Sequence, residues 1–304
     1  MSAKPTTQTQ TLCILGCGNL GTAILKSLLA SPEPDQLFTR YIACVGSPSS
    51  RDRLEAQFTN QTNLSISLGD NITAVRNADV VILALDPAVI PAGLAQAGFR
   101  DALGEKLLIS VAAGWTVKKI AETISGSTPA DGGNAGATIM RTLPNICALV
   151  GQSLTAIEVD PSAKPPEEAL SLTTSIFSRL GKTLTIPPSL IDATTAVAGS
   201  TPAMFAVVVD AMIDASVAVG VPRAMAQAMI YQSMRGSAEM LLQSGMQPGD
   251  LRDQGTSPEG CTIGGLMVME ERGVRGGVGR AVREAVSVAR RMDGRSHPND
   301  TRGW

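Results

Sequence analysis

Three glycines near the N-terminus have the spacing of a dinucleotide-binding loop. The apolar run 11–15 is typical of a buried strand, and Gly16-Cys17-Gly18-Asn19-Leu20-Gly21 follows it directly. In this G-x-G-x-x-G pattern the first glycine permits a tight turn, the second lets a pyrophosphate approach the backbone, and the third lets a helix pack against the strand. Free N–H groups at the start of that helix attract an anion. The pattern therefore predicts a dinucleotide site.

The end of the second predicted strand bears on which dinucleotide is bound. After the strand 41–45, residues 46–51 read Gly-Ser-Pro-Ser-Ser-Arg, and the first acid is Asp52. Sites that prefer NAD usually have Asp or Glu at the strand end, where it holds the ribose 2′-hydroxyl. Small hydroxyls and Arg51 suit a 2′-phosphate instead. We therefore predict NADPH, with NADH possible. The alternative is that Ser49 and Ser50 only cap the next helix.

The histidine and cysteine content excludes several chemistries. The sole histidine, His297, lies in a polar C-terminal tail, which argues against Ser-His-Asp hydrolysis, histidine-ligated metals and dehydrogenases with a histidine acid. The five cysteines are odd in number and form no C-x-x-C pair. This pattern is typical of a reduced intracellular protein that uses cysteine as a small buried residue. We predict no metal site.

Charge and hydropathy indicate a globular protein without a nucleic-acid or membrane partner. The chain is 44% hydrophobic and 17% charged, with a net charge of −2, so no basic surface attracts nucleic acid or anionic lipid. The polar N-terminus has no apolar targeting segment, which predicts a cytoplasmic protein. The most apolar stretch, 202–221, contains Asp210 and Asp214. It is interpreted as a helix buried within the protein or an oligomer, too short and too charged to span a membrane.

Strand and helix patterns alternate along the first part of the chain and predict an α/β fold. Aromatic residues make up 3%, so the core must consist mainly of aliphatic side chains. Apolar strands between helices imply a Rossmann-like, doubly wound parallel sheet. We predict strands at 11–15, 41–45, 78–85, 107–113, 137–144, 153–159 and 182–186 and helices at 21–29, 51–58, after Pro87, from Thr116 and after 160–168. Residues 1–10 are predicted to be disordered and 127–137 a flexible loop.

The pattern changes after residue 187 to Ala- and Met-rich helices. A length of 304 residues suggests two domains. We predict a dinucleotide-binding domain at 10–186 and an all-α domain at 187–293. A helix is expected to begin near Pro202, with Ser200 and Thr201 as candidate caps.

Several segments, in this order, resemble the pyrroline-5-carboxylate reductase family. They are the glycine loop with Thr22-Ala23-Ile24, Ser110-Val111-Ala112-Ala113-Gly114, Arg141-Thr142-Leu143-Pro144-Asn145, Gly199-Ser200-Thr201-Pro202-Ala203, Gly220-Val221-Pro222-Arg223 and Ser257-Pro258-Glu259-Gly260-Cys261-Thr262-Ile263. The resemblance implies a Rossmann-like domain followed by a helical domain that interlocks with a second subunit. It also implies NAD(P)H-dependent reduction of Δ1-pyrroline-5-carboxylate to proline.

The resemblance also assigns site residues. The implied cofactor contacts are Gly16, Cys17, Gly18, Asn19, Leu20, Gly21, Ser47, Asn71, Ala84, Asp86, Pro87, Val111, Ala112 and Ala113. The implied substrate contacts are Ser257, Gly260, Cys261 and Thr262.

The residue types suit this chemistry. A cyclic imine can be protonated at nitrogen before it accepts a hydride, so the protein need not supply a strong general acid. The Thr262 hydroxyl can hydrogen-bond the ring nitrogen and relay its proton, which makes it the catalytic candidate. The Ser257 hydroxyl and the free N–H groups before a predicted helix at 262–271 could hold a carboxylate. The alternative is a Pro/Gly turn that only caps the helix.

Three departures from the family pattern leave alternatives open. Asp86 stands where the family usually has lysine, Glu259 replaces a small residue, and Gly245 and Gln247 replace a glutamate and a histidine. The chain could be a paralogue that reduces a modified pyrroline or a Δ1-piperideine carboxylate in a secondary pathway. It could also be a non-catalytic NADP-binding protein. The 3-hydroxyacid dehydrogenases use a helical lysine, which is absent from 187–292.

Overall fold

The computed structural model describes residues 10–31, 36–126 and 136–292. His297, and most of the two segments predicted to be disordered or flexible (1–10 and 127–137), lie outside these ranges. The chain forms two compact units. The first contains the described residues up to Gly199 and those from Val286 onward, and the second contains Ser200–Ala285.

An eight-stranded sheet forms the centre of the first unit. Its strands are β1 (Thr11–Leu15), β2 (Arg40–Val45), β3 (Leu64–Leu68), β4 (Val80–Leu83), β5 (Leu107–Ser110), β6 (Thr138–Leu143), β7 (Ser153–Glu158) and β8 (Gly181–Ile186). The spatial order is β3-β2-β1-β4-β5-β6-β7-β8, and every neighbouring pair is parallel except β6–β7. The chain reverses direction across the sheet between β1 and β4. Ligands bind doubly wound sheets at such a switch point, outside the carboxyl ends of the strands.

Helices cover both faces of this sheet. They are α1 (Asn19–Leu29), α2 (Pro48–Gln57), α3 (Asn71–Arg76), α4 (Ile90–Leu94), α5 (Phe99–Leu103), α6 (Val117–Ser125) and α7 (Glu167–Ser178). Alternate β1 residues point to opposite faces: Leu12 and Ile14 join a core with α1 and α7, while Cys13 and Leu15 join a core with α3, α5 and α6. The predicted Rossmann-like α/β fold is confirmed.

Strand β3 was not predicted, although β2 pairs with it over its whole length. Its Ser65 and Ser67 interrupt the apolar pattern, and an edge strand needs fewer buried side chains than a central one. Strands β4 and β5 also end earlier than predicted, because the chain leaves the sheet to form the loops at its carboxyl edge, and β4 begins later, at Val80.

An α-helix begins beside Pro202, as predicted, but it continues a helical run that starts at Pro188. Short helical segments, α8 (Ile191–Thr194) and a π-helical turn (Thr195–Ser200), lead directly into α9 (Thr201–Ala218). Ser200 has helical dihedral angles and its side chain makes no capping hydrogen bond. Pro202 has no N–H to donate to the Ala198 carbonyl, four residues earlier. Asn145 Nδ2 donates to that carbonyl instead, at 2.8 Å.

The second unit is helical, as predicted. It contains α9, α10 (Arg223–Ser244), α11 (Pro248–Gln254), α12 (Cys261–Glu271) and the larger part of α13 (Val274–Arg291). Arg223 forms an ion pair with Asp214 between α9 and α10.

The helix 188–218 is long and apolar enough to cross a membrane, although the core helix of a soluble protein passes the same test of length and composition. The apolar stretch predicted to be too short for a span is therefore part of a longer helical run that starts at Pro188. Within one chain, only Ile213 of α9 is buried.

Candidate functional site

Two glycines of the dinucleotide loop lie where no side chain fits. A Cβ on Gly16, whose φ is +94°, would lie 2.6 Å from the Ala84 carbonyl oxygen. A Cβ on Gly21 would lie 2.2 Å from the Gly16 carbonyl oxygen. Glycine is therefore required for the tight turn and for the close approach of α1 to β1, as the motif predicts.

Gly18 has the opposite environment. It is exposed, and a Cβ there would meet no atom within 4 Å. Gly18 is also the N-cap of α1 and has no side chain to occupy the first N–H groups of that helix. Open space beside unoccupied N–H donors is what a pyrophosphate needs. The loop therefore fits a dinucleotide.

Hydrogen bonds stabilise the conformation of the dinucleotide loop. The Cys17 carbonyl accepts hydrogen bonds from Thr22 Oγ1 at 3.0 Å and from Arg53 Nη2 at 2.6 Å. The Cys44 carbonyl accepts the N–H groups of Gly16 and Cys17, at 3.2 and 3.1 Å. Sequence reasoning missed Arg53, because it lies on α2 and no local spacing links it to the loop.

The Cys17 side chain carries no charge beneath the loop. Burial raises the pKa of its thiol to about 12, so it stays protonated and adds no negative charge near a bound phosphate. Its N–H is already bonded to Cys44. The cofactor contact implied for Cys17 therefore cannot use that N–H in this arrangement.

The turn after β2 presents a cluster of hydroxyl groups. Ser47 caps α2 by accepting the Ser50 N–H at 3.3 Å, and its Oγ lies 3.1 Å from Ser49 Oγ and 3.0 Å from Ser50 Oγ. The capping residue is therefore Ser47, in place of Ser49 or Ser50. Arg51 Nε lies 3.5 Å from Asp52 and 3.7 Å from Glu55.

The remaining candidate cofactor residues lie at the same edge of the sheet. They follow the carboxyl ends of parallel strands: Asn71 begins α3 after β3, Ala84, Asp86 and Pro87 follow β4, and Val111, Ala112 and Ala113 follow β5. The structure thus places the candidate cofactor residues after the carboxyl ends of β1 to β5, on both sides of the switch point. Asp86 is exposed, and its Oδ1 accepts the Ala88 N–H at 2.9 Å.

The second unit contains the predicted substrate residues at the turn before α12 and in the first two positions of that helix. A Cβ on Gly260, the N-cap of α12, would lie 2.5 Å from Ser257 Oγ and 3.0 Å from the Ser257 carbonyl oxygen, so a side chain at residue 260 would crowd Ser257. The turn closes through a hydrogen bond from the Gly260 N–H to the Ser257 carbonyl at 3.0 Å. Ser257, Gly260, Cys261 and Thr262 are therefore brought together.

The start of α12 has unused donors. No side chain caps it, so the N–H groups of Cys261 and Thr262 are free of protein acceptors within the described residues. The Thr262 hydroxyl likewise has no hydrogen-bond partner in the described ranges. Both residues are exposed, so the prediction that the cysteines are buried is wrong for Cys261. This turn can bind an anion and present a hydroxyl beside it.

Glu259 has an unusual backbone conformation in the same turn. Its φ is +60°, a value that no other non-glycine residue has in the described ranges. This left-handed conformation costs roughly 1–2 kcal/mol for an L-residue. Glu259 is exposed and directly precedes Gly260, the N-cap of α12.

Residues 141–145 contain one residue in a buried ion pair and one that hydrogen-bonds a helix carbonyl. Arg141 and Glu158 form an ion pair of 3.1 Å between β6 and β7, with side chains only 3% and 12% exposed. Burial raises the pKa of Glu158, and Arg141 opposes that shift. Asn145 hydrogen-bonds the Ala198 carbonyl, as described above.

Among the described residues, no group of three or more His, Cys, Asp or Glu could hold a metal ion.

Comparisons with known proteins cover nearly the whole chain. A family model described as pyrroline-5-carboxylate reductase dimerisation matches residues 188–292, and one described as NADP oxidoreductase, coenzyme F420-dependent, matches 11–114. The pyrroline-5-carboxylate reductase of Lophium arboricola is 42% identical, and that of Neurospora crassa 36%, each over 93% of both chains. A Plasmodium falciparum pyrroline carboxylate reductase structure with NADP bound has a similar fold (TM-score 0.77, 23% identity, covering 93% of this chain and 98% of that one).

Proposed function

The chain belongs to the pyrroline-5-carboxylate reductase family, and we propose that it reduces Δ1-pyrroline-5-carboxylate to L-proline with NADPH. The observation that carries the proposal is the turn at residues 257–262. It combines free backbone donors, the Ser257 hydroxyl and an unpartnered Thr262 hydroxyl on one exposed surface. A substrate with a carboxylate next to a basic ring nitrogen matches that set of groups.

NADPH would be held by the glycine loop and by the residues at the carboxyl edge of the sheet. The open space at Gly18 and the first N–H groups of α1 suit its pyrophosphate. The hydroxyl cluster at Ser47, Ser49 and Ser50 suits a 2′-phosphate, since the first turn of α2 contains no acid. When bound, NADPH supplies the hydride.

The substrate residues have separate tasks in this proposal. Ser257 Oγ and the N–H groups of Cys261 and Thr262 hold the carboxylate, while the Thr262 hydroxyl hydrogen-bonds the ring nitrogen. The imine is protonated before its carbon is reduced, so the residues position the substrate and stabilise a cation at nitrogen. No strong general acid is needed, which agrees with the absence of histidine from the described ranges.

The match to the dimerisation family supports a homo-oligomer, and we propose that its basic unit is a homodimer formed through the second unit. Between α9 and α10 lies an apolar groove of about 560 Å³. Its lining includes Phe205, whose surface is 59% exposed in one chain, and Tyr231 and Met234. Apolar surface of this extent is normally covered by a partner. Light scattering at micromolar concentration should find a dimer or larger particle, and a stable monomer would refute the proposal. The cytoplasmic location remains a prediction from the sequence.

A paralogue with a different cyclic imine substrate is the second candidate. Glu259 supports it, because a carboxylate at the substrate turn disfavours a simple anionic ring and would favour a ring that carries a hydrogen-bond donor. The second substrate to consider for such a paralogue is a six-membered Δ1-piperideine carboxylate.

One assay separates these functions. NADPH and NADH oxidation is measured with Δ1-pyrroline-5-carboxylate and with Δ1-piperideine carboxylates under one condition. We expect the highest kcat/KM for NADPH with the five-membered substrate. A preference for the six-membered ring would select the paralogue, and a preference for NADH would refute the cofactor proposal. NADPH binding without turnover of any cyclic imine would indicate a non-catalytic protein.

A further inference from the structure

Arg53 reaches from α2 to the back of the dinucleotide loop. Its Nη2 donates to the Cys17 carbonyl at 2.6 Å, and its Nη1 lies 3.4 Å from Thr22 Oγ1. Thr22 Oγ1 itself donates to the same carbonyl at 3.0 Å. One carbonyl therefore accepts a neutral donor and a charged donor, and hydrogen bonds from charged groups are the stronger kind.

Fixing this carbonyl also fixes the direction of the next N–H. In a planar trans peptide, the C=O of one residue and the N–H of the next point in opposite directions. The Gly18 N–H therefore points away from Arg53. Gly18 is exposed, its N–H has no protein acceptor in the part of the chain that is described, and the space beside its Cα is open.

We propose that Arg53 is a positioning residue, which holds the Cys17 carbonyl so that the Gly18 N–H is aimed at the dinucleotide pyrophosphate. Both of its terminal nitrogens face the loop and Thr22, whereas the hydroxyl cluster and Arg51 lie at the turn after β2. Its effect should therefore apply to NADPH and NADH alike, because both contain the pyrophosphate. The inference rests on the proposed use of a dinucleotide.

The test compares dissociation constants of Arg53→Met and Arg53→Lys with those of the wild type. The matched control is Arg100→Met, which removes an exposed arginine from α5. Kd is measured by calorimetry for NADPH, for NADH and for adenosine 2′-monophosphate, which has the 2′-phosphate but no pyrophosphate. Melting temperature is recorded for each variant.

We expect Arg53→Met to weaken NADPH and NADH binding by similar factors, about 10-fold, as for one charged hydrogen bond lost from a preorganised site. Adenosine 2′-monophosphate should bind as it does to the wild type. Arg53→Lys should weaken both dinucleotides less, because it keeps the charge but lacks the planar fork that contacts both partners. Arg100→Met should bind all three as the wild type does.

Other results would overturn the proposal. Weaker binding of NADPH and adenosine 2′-monophosphate with unchanged NADH binding would make Arg53 a 2′-phosphate ligand. Unchanged dissociation constants in a folded Arg53→Met would show that the loop needs no such support. If Arg53→Met does not fold, the test uses Arg53→Lys. The positioning role would be overturned if Arg53→Lys had the melting temperature and the dinucleotide dissociation constants of the wild type. A wild-type protein that binds neither dinucleotide would overturn the proposed function as well.

Discussion

Replacing Thr262 with alanine tests the proposed chemistry without disturbing the fold. Thr262 is the second residue of α12, whose N-cap is Gly260, and no side chain caps the helix. Its hydroxyl has no partner in the described ranges, so its loss breaks no hydrogen bond there. Alanine has a higher helix propensity than threonine by up to about 0.7 kcal/mol. We therefore expect the free energy of unfolding of Thr262→Ala to stay unchanged or to rise slightly.

Activity should change much more than stability. A hydrogen bond to a charged group contributes about 1.5–3 kcal/mol. If the Thr262 hydroxyl bonds the protonated ring nitrogen in the transition state, kcat/KM should fall roughly 10- to 100-fold, since each 1.4 kcal/mol corresponds to a factor of ten. NADPH affinity should stay unchanged, because the candidate cofactor residues belong to the first unit.

The assay measures imine reduction, NADPH affinity and melting temperature on the same preparations. Thr262→Ser is the matched control, since it retains the hydroxyl and should keep much of the activity. Full activity in a folded Thr262→Ala would remove Thr262 from the catalytic residues. A loss of about 1 kcal/mol in stability with unchanged turnover would instead show a capping role, the alternative that the sequence left open.

Three further substitutions test individual features. Asp86→Lys reverses an exposed charge near the candidate cofactor residues and should tighten NADPH binding by about 0.5–1 kcal/mol; unchanged affinity would mean that residue 86 lies away from the nucleotide. Glu259→Gly relieves the positive φ and should raise the unfolding free energy by about 1 kcal/mol and lower KM. Glu259→Gln should lower KM and leave the unfolding free energy unchanged. A KM equal to that of the wild type would refute competition between the Glu259 carboxylate and the substrate. Asn145→Ala removes the donor to the Ala198 carbonyl and should cost about 1–3 kcal/mol in urea unfolding; wild-type stability would show that solvent replaces it.

Most of the first unit's architecture, the glycine loop and the turn at 257–262 could be predicted from the sequence. The glycine loop could be found because its three roles depend on conformations and contacts within a few residues. The parallel sheet could be predicted because a strand buried on both faces must be continuously apolar. The turn at 257–262 was found through its resemblance to a family, since its composition alone fits an ordinary capped helix.

Other features depend on contacts between distant parts of the chain and could not be predicted from local sequence patterns. Arg53 reaches Cys17 because α2 follows β2, the strand that pairs with β1, and Asn145 meets Ala198 because a proline left that carbonyl without its helical donor. Strand β3 forms because β2 supplies its hydrogen-bond partner, although its own pattern is weak. The positive φ of Glu259 follows from the closure of its turn. Local periodicity records which faces of the chain are buried, whereas these contacts depend on which faces meet after packing.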